Sequence, residues 1–127
     1  MSIEIEEQRP WYVVDMVAHR AFFKSLLHDL LFYEVSDLNE QDNCYLIVNT
    51  LPRRALLVSE LPPTVPIPKI PPVVFTMYSI IDFEKVKTRI PELGGKVDEN
   101  PLEVKPGMYV TWAYDSMNQK FGILTQP

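Results

Sequence analysis

The chain has 127 residues, 46% hydrophobic and 23% charged, which suits a single globular domain with a real core and argues against a disordered polypeptide. Its net charge of −5, with Lys and Arg scattered among carboxylates, speaks against nucleic acid as a partner, because phosphate binding needs clustered cations. No apolar run approaches the roughly 18 to 20 residues of a membrane span, the acidic residues 1–8 lack the pattern of a signal peptide, and the lone cysteine, Cys44, permits no intrachain disulfide. The expected setting is the cytoplasm, without membrane contact.

In chain order, Trp11-Tyr12-Val13-Val14 reads as a strand, and Asp15 as the N-cap of the helix that follows. Phe22, Phe23, Leu26, Leu27 and Leu30 gather on one side of that helix, with Arg20, Lys24, Ser25 and Asp29 on the other. His19 lies toward the apolar side and His28 on the polar side near the helix end, so a structural role is expected for both. Strands are expected over 31–35, 44–50 and 54–61, with Cys44 a buried, inert thiol. Residues 62–72 carry too many prolines for helix or a central strand and form an extended connector.

The same order then repeats. A strand over 73–81 ends at Asp82, read as the second N-cap. Phe83, Val86, Ile90 and Leu93 recur at helical spacing, Gly94-Gly95 supply a left-handed stop, and Pro91 limits regular helix to about Arg89. Strands follow over 96–104, 108–114 and 120–125. The expected fold is α+β: one domain over 1–127, with βαβββ modules at 1–61 and 73–127 joined by the connector.

This doubled unit resembles the vicinal oxygen chelate superfamily, which includes glyoxalases, extradiol dioxygenases and fosfomycin- and bleomycin-resistance proteins. The resemblance rests on Asp15 followed by Phe22-Phe23, where the pattern has Phe-Tyr, on Asp82 with Leu93-Gly94-Gly95-Lys96-Val97, and on residues 115–122. There the family often has an Asp-Pro-x-Gly-Asn turn before the last strand, and Asp115-Ser116-Met117-Asn118-Gln119 lacks its Pro and Gly. His28 likewise stands where the family often has Gly. The resemblance implies a curved, mostly antiparallel sheet around a cleft.

In metal-dependent members, a His or Gln on the first strand of each module and a Glu on the last converge on one divalent cation. Those four positions fall on Gln8, Glu60, Phe75 and Gly122. Phe75 and Gly122 have no side chain able to ligate, and two oxygen ligands are too few for a catalytic cation. The expectation is therefore no metal and no cofactor.

Strand alternation then groups Phe75 and Met77 with Gly122 and Leu124 as cavity walls, together with Gln8 and Tyr12; Trp112 joins them from the penultimate strand. Gln8, Tyr12 and Glu60 serve as polar anchors in a cleft suited to a flat or apolar ligand. The expected function is metal-free binding of a small organic molecule, with homodimerisation, since family protomers often share strands or cavities. Two alternatives stand beside it: a divergent metal-dependent lyase, isomerase or dioxygenase, and a structural or protein-interaction module whose cavity is closed by core side chains.

Overall fold

The computed structural model describes residues 4–5, 10–50, 53–66 and 71–126, with backbone alone for Glu4 and Ile5. The chain divides into two compact units, Met1–Lys69 and Ile70–Pro127, and the division falls inside the proline-rich segment. Each unit has its own helix, five-stranded mixed sheet and core.

In the first unit, β1 (Glu4–Ile5) and β2 (Trp11–Val13) both pair parallel to β5 (Arg53–Glu60). Antiparallel pairing continues from β5 to β4 (Cys44–Thr50) and on to β3 (Tyr33–Val35). The two-residue β1 lies in the acidic stretch, where Ile3 and Ile5 alternate with Glu4 and Glu6.

Helix α1 (Met16–Leu27) begins where expected: Asp15 has extended backbone and its carboxylate accepts from the Ala18 N–H at 3.1 Å. The helix buries Met16, His19, Phe22, Phe23, Leu26 and Leu27. Trp11 meets the rings of His19 and Phe23 edge-on at 4.4 and 5.1 Å. This fixes which sheet face the helix covers. Trp11, Val13, Tyr45, Ile47 and Val58 are buried on it, while Tyr12, Cys44, Leu46, Leu57 and Ser59 on the opposite face are half-buried. Cys44 is thus a half-buried residue, not a core thiol, because its register partner is Ser59 on the open face.

The second unit repeats the plan. Strand β6 (Val74–Met77) pairs parallel to β10 (Lys120–Thr125), which pairs antiparallel to β9 (Met108–Tyr114). The strand expected over 96–104 forms as two pieces, β7 (Lys96–Val97) and β8 (Leu102–Lys105), both on β9. Pro101 stands in the gap, where it withholds an amide donor from the ladder.

Helix α2 (Ile80–Glu92) departs from expectation at both ends. Its N-cap is Ser79, whose hydroxyl accepts from the Asp82 N–H at 3.2 Å, so Asp82 belongs to the first turn. There its charge favours the helix dipole, and Ile80 and Ile81 are left in the exposed first turn. At the other end the helix passes through Pro91 to Glu92. Proline removes only its own N–H bond, and the Leu93, Gly94 and Gly95 amides still return to Arg89, Ile90 and Pro91.

The two stop glycines have different reasons. Gly94 takes φ +90°, whereas Gly95 allows a close approach: a Cβ there would lie 2.4 Å from the Tyr114 carbonyl oxygen.

Candidate functional site

Register in the second unit sorts its strands into two faces. Phe75 pairs with Ile123, and Phe121 and Ile123 pair with Ala113 and Thr111. All are buried, with Met77 and the α2 residues Val86 and Ile90, and form the core of the unit. The other face carries Val74 and Thr76 from β6, Gly122 and Leu124 from β10, and Val110, Trp112 and Tyr114 from β9. It is the more open of the two, with Thr76, Trp112, Tyr114 and Leu124 half-buried and Val74 exposed.

On that face Trp112 lies over Gly122. A Cβ at Gly122 would come within 2.9 Å of Trp112 Cζ3, 3.2 Å of Cε3 and 3.2 Å of Val110 Cγ1. Glycine is required here because the indole of the neighbouring strand uses the space a side chain would fill. Lys120 reaches the same ring, its Nζ 4.5 Å from the ring centroid, within cation–π range.

These positions rearrange the expected site. Trp112 and Leu124 do share an open face with Gly122. Phe75 and Met77 do not: register places them on the opposite face, in the core, one residue out of phase with the expected grouping. The residue beside Gly122 on β6 is Val74. In the first unit Tyr12 is half-buried on the open face, but Glu60, paired with Val13, lies on the helix-covered face. Its Oε1 accepts from the Met16 N–H at 3.3 Å, at the first residue of α1. Glu60 and Tyr12 therefore project from opposite sides of one sheet. Gln8 lies outside the described residues.

Of the four positions where the resemblance puts metal ligands, the three that are described, Glu60, Phe75 and Gly122, do not make up a ligand set for a divalent cation. Glu60 is engaged at a helix start, Val74 and Phe75 offer no donor, and the place for a glutamate at Gly122 is filled by the Trp112 ring. Among the described residues no three His, Cys, Asp or Glu side chains converge as a metal group.

Two buried ionisable groups lie elsewhere. His19 Nδ1 is 2.5 Å from the Tyr45 hydroxyl, while its Nε2 is buried without a partner. Burial among Trp11, Phe23 and Tyr45 holds its pKa down, at about 3, so it is a neutral core histidine. Asp115 is held above the usual carboxylate range by burial, with its Oδ1 accepting from the Met117 and Gln119 amides at 2.9 Å each.

That Asp115 turn closes without the family's Pro and Gly because Asn118 itself takes φ +62°. Asparagine tolerates the left-handed region better than most residues, a substitution that turn chemistry makes legible only with the backbone in view. An open depression of about 540 Å³ on α2, lined by Ile80, Ile81, Glu84, Lys85, Thr88, Arg89 and Glu92, is a shallow helix surface of mixed charge. It lies apart from the Trp112 face and gathers no convergent chemistry.

No protein-family model and no curated protein matches the chain. Solved structures do. A glyoxalase/bleomycin resistance protein from Albidiferax ferrireducens is similar at TM-score 0.69 and 16% identity, over 97% of this chain and 98% of that one. A glyoxalase/bleomycin resistance protein/dioxygenase family enzyme from Burkholderia phytofirmans is similar at TM-score 0.69 and 11% identity, over 94% and 96%. A superfamily member from Sphaerobacter thermophilus gives 0.63 and 16%, over 98% and 97%. At these identities the likeness carries the fold alone, and that fold is the one of the vicinal oxygen chelate superfamily.

Proposed function

We propose that, on this fold, the chain binds a small organic molecule without the help of a metal ion. The observation that supports the reading most directly is the Trp112 indole lying over Gly122 on the half-open face of the second sheet. The resemblance puts an acidic metal ligand at Gly122, and an aromatic surface lies over that residue instead. With Thr76, Tyr114 and Leu124 around it, this face offers apolar contact and hydroxyl groups for orientation. Phe75 and Met77 contribute by packing behind it, from the core.

A cytoplasmic, homodimeric protein is part of the same reading. The described helices include none long and apolar enough to cross a membrane, and the exposed Val17, Ile80 and Ile81 are apolar surface of the kind that a second copy covers.

The test is metal content and thermal melting of the purified protein after incubation with nickel, zinc or manganese, followed by melting with a panel of aromatic small molecules. The proposal expects no stoichiometric metal and a rise in Tm with at least one aromatic compound. One metal per chain with a raised Tm would overturn the metal-free reading and favour a metal-dependent lyase, isomerase or dioxygenase.

A further inference from the structure

The charge of the Trp112 face is not that of the whole chain. On β9 the residues with side chains on this face are Met108, Val110, Trp112 and Tyr114, and register adds their neighbours. Lys96 of β7 and Lys120 of β10 pair with Tyr114 from its two sides, and Lys105 of β8 pairs with Met108. Lys96 and Lys120 therefore stand on one face, and the register shift between Glu103 and Lys105 brings Lys105 to Met108 on the same side. The one strand carboxylate, Glu103, pairs with Tyr109 and so belongs to the other face. Among the described residues none of the three lysines forms an ion pair. Lys96 and Lys120 thus put two positive charges at the Tyr114 end of this face in a chain of net charge −5, against the one carboxylate of Asp98, whose N–H donates to the Trp112 carbonyl at 2.9 Å, while Lys105 lies about 20 Å away at the Met108 end of β9.

We infer that the molecule bound on this face is an aromatic carboxylate, its ring stacked on Trp112 and its carboxylate held between Lys120 and Lys96 beside Tyr114. The inference rests on the binding function proposed above and names its ligand class. Lys120 already lies over the indole. An incoming flat ring takes the place of the ammonium group, and the displaced Lys120 keeps its partner by turning to the carboxylate. Neighbouring strands place directly opposed side chains about 5 Å apart, so Lys96 and Lys120 flank Tyr114 closely enough for their long stems to meet one small anion. An anion between the two ammonium groups is attracted to both. A cationic ligand meets the opposite field.

The experiment is isothermal titration calorimetry of the full chain with 2-naphthoate, the neutral 2-naphthamide and 2-naphthylmethylammonium, on wild type and on Lys96→Gln, Lys120→Gln and Trp112→Phe. Circular dichroism confirms that each variant is folded. The expected result is naphthoate at least tenfold tighter than the amide, the ammonium compound weakest, and naphthoate affinity falling with added salt. Each lysine variant weakens naphthoate severalfold and narrows its advantage over the amide, and Trp112→Phe weakens both. If acid and amide bind alike and both respond to Trp112→Phe, the anion inference falls while the binding function stands. If naphthoate binds but none of the variants changes its affinity, the inference falls because the ligand lies elsewhere. If none of the three compounds binds, the inference falls together with the reading it rests on.

Discussion

His19 Nδ1 and the Tyr45 hydroxyl lie 2.5 Å apart between α1 and β4, a polar contact within a cluster of rings that includes Trp11 and Phe23. The contact gives the first unit an acid-sensitive element. Because burial lowers the imidazole pKa from 6.5 to about 3, the folded state binds this proton more weakly than the unfolded chain does. The stability contribution is therefore complete above pH 6.5 and is lost as pH falls from there toward about 3, at about 1 kcal/mol per pH unit.

Asp115 acts in the opposite sense, since its raised pKa favours the folded state as its carboxyl protonates. The histidine is therefore isolated by difference. Urea unfolding of wild type and His19→Leu, at about pH 7 and about pH 5, is expected to show a smaller acid loss in the variant by about 1 to 2 kcal/mol. Equal losses in both proteins would show that His19 is not the titrating group.

The Trp112 and Gly122 pair predicts a non-additive pair of substitutions. Gly122→Ala puts a methyl group within 2.9 Å of the indole and 3.2 Å of Val110 Cγ1, which is overpacking on a sheet face and costs about 1 to 3 kcal/mol. Trp112→Leu removes the ring that objects. In the double variant the alanine is expected to cost less by more than about 1 kcal/mol, as measured by denaturant unfolding of the four proteins of the cycle.

The glycines that end α2 separate two physical causes in one experiment. Gly94→Ala meets only Ser116 Cβ at 3.6 Å, so its cost comes from φ +90° and amounts to about 1 to 2 kcal/mol. Gly95→Ala would set its Cβ 2.4 Å from a backbone oxygen and 2.8 Å from Ile90 Cγ2, and neither can move without shifting the helix against β9. Its cost is expected to exceed that of Gly94→Ala, with a lower Tm and reduced expression as readouts.

Much of this fold could be read from the chain because its signals are local: the apolar face of α1, the Asp15 cap and the alternation in β4 and β9 depend only on near neighbours. The start of α2 is ambiguous in the sequence because Ser79 and Asp82 are both capping residues three positions apart, and only backbone geometry distinguishes cap from first turn. The site was harder for a related reason. A strand's side chains change face with each residue, so a shift of one in β6 moved Phe75 and Met77 from the expected cavity wall into the core. Lys96 and Lys120 come together because β7 and β10 pair with Tyr114 from its two sides. Their spacing along the chain holds no trace of this, and only the register reveals it.

Glu60 supplies the sharpest contrast between a site role and a structural one. Its carboxylate accepts from the Met16 amide, one of the donors that a helix start leaves without an intrahelical partner. Its negative charge also lies at the positive end of the α1 dipole. Glu60→Ala removes both contributions and is expected to cost about 0.5 to 2 kcal/mol in stability, whereas Glu60→Gln keeps an acceptor oxygen and loses only the charge term, so its cost is smaller. Neither substitution is expected to change the affinity for an aromatic ligand, because Glu60 lies on the face that α1 covers and is engaged at the helix start. Denaturant unfolding alongside ligand titration of the two variants checks both halves. A loss of ligand affinity with stability unchanged would return Glu60 to the binding site and overturn its assignment as a helix-capping group.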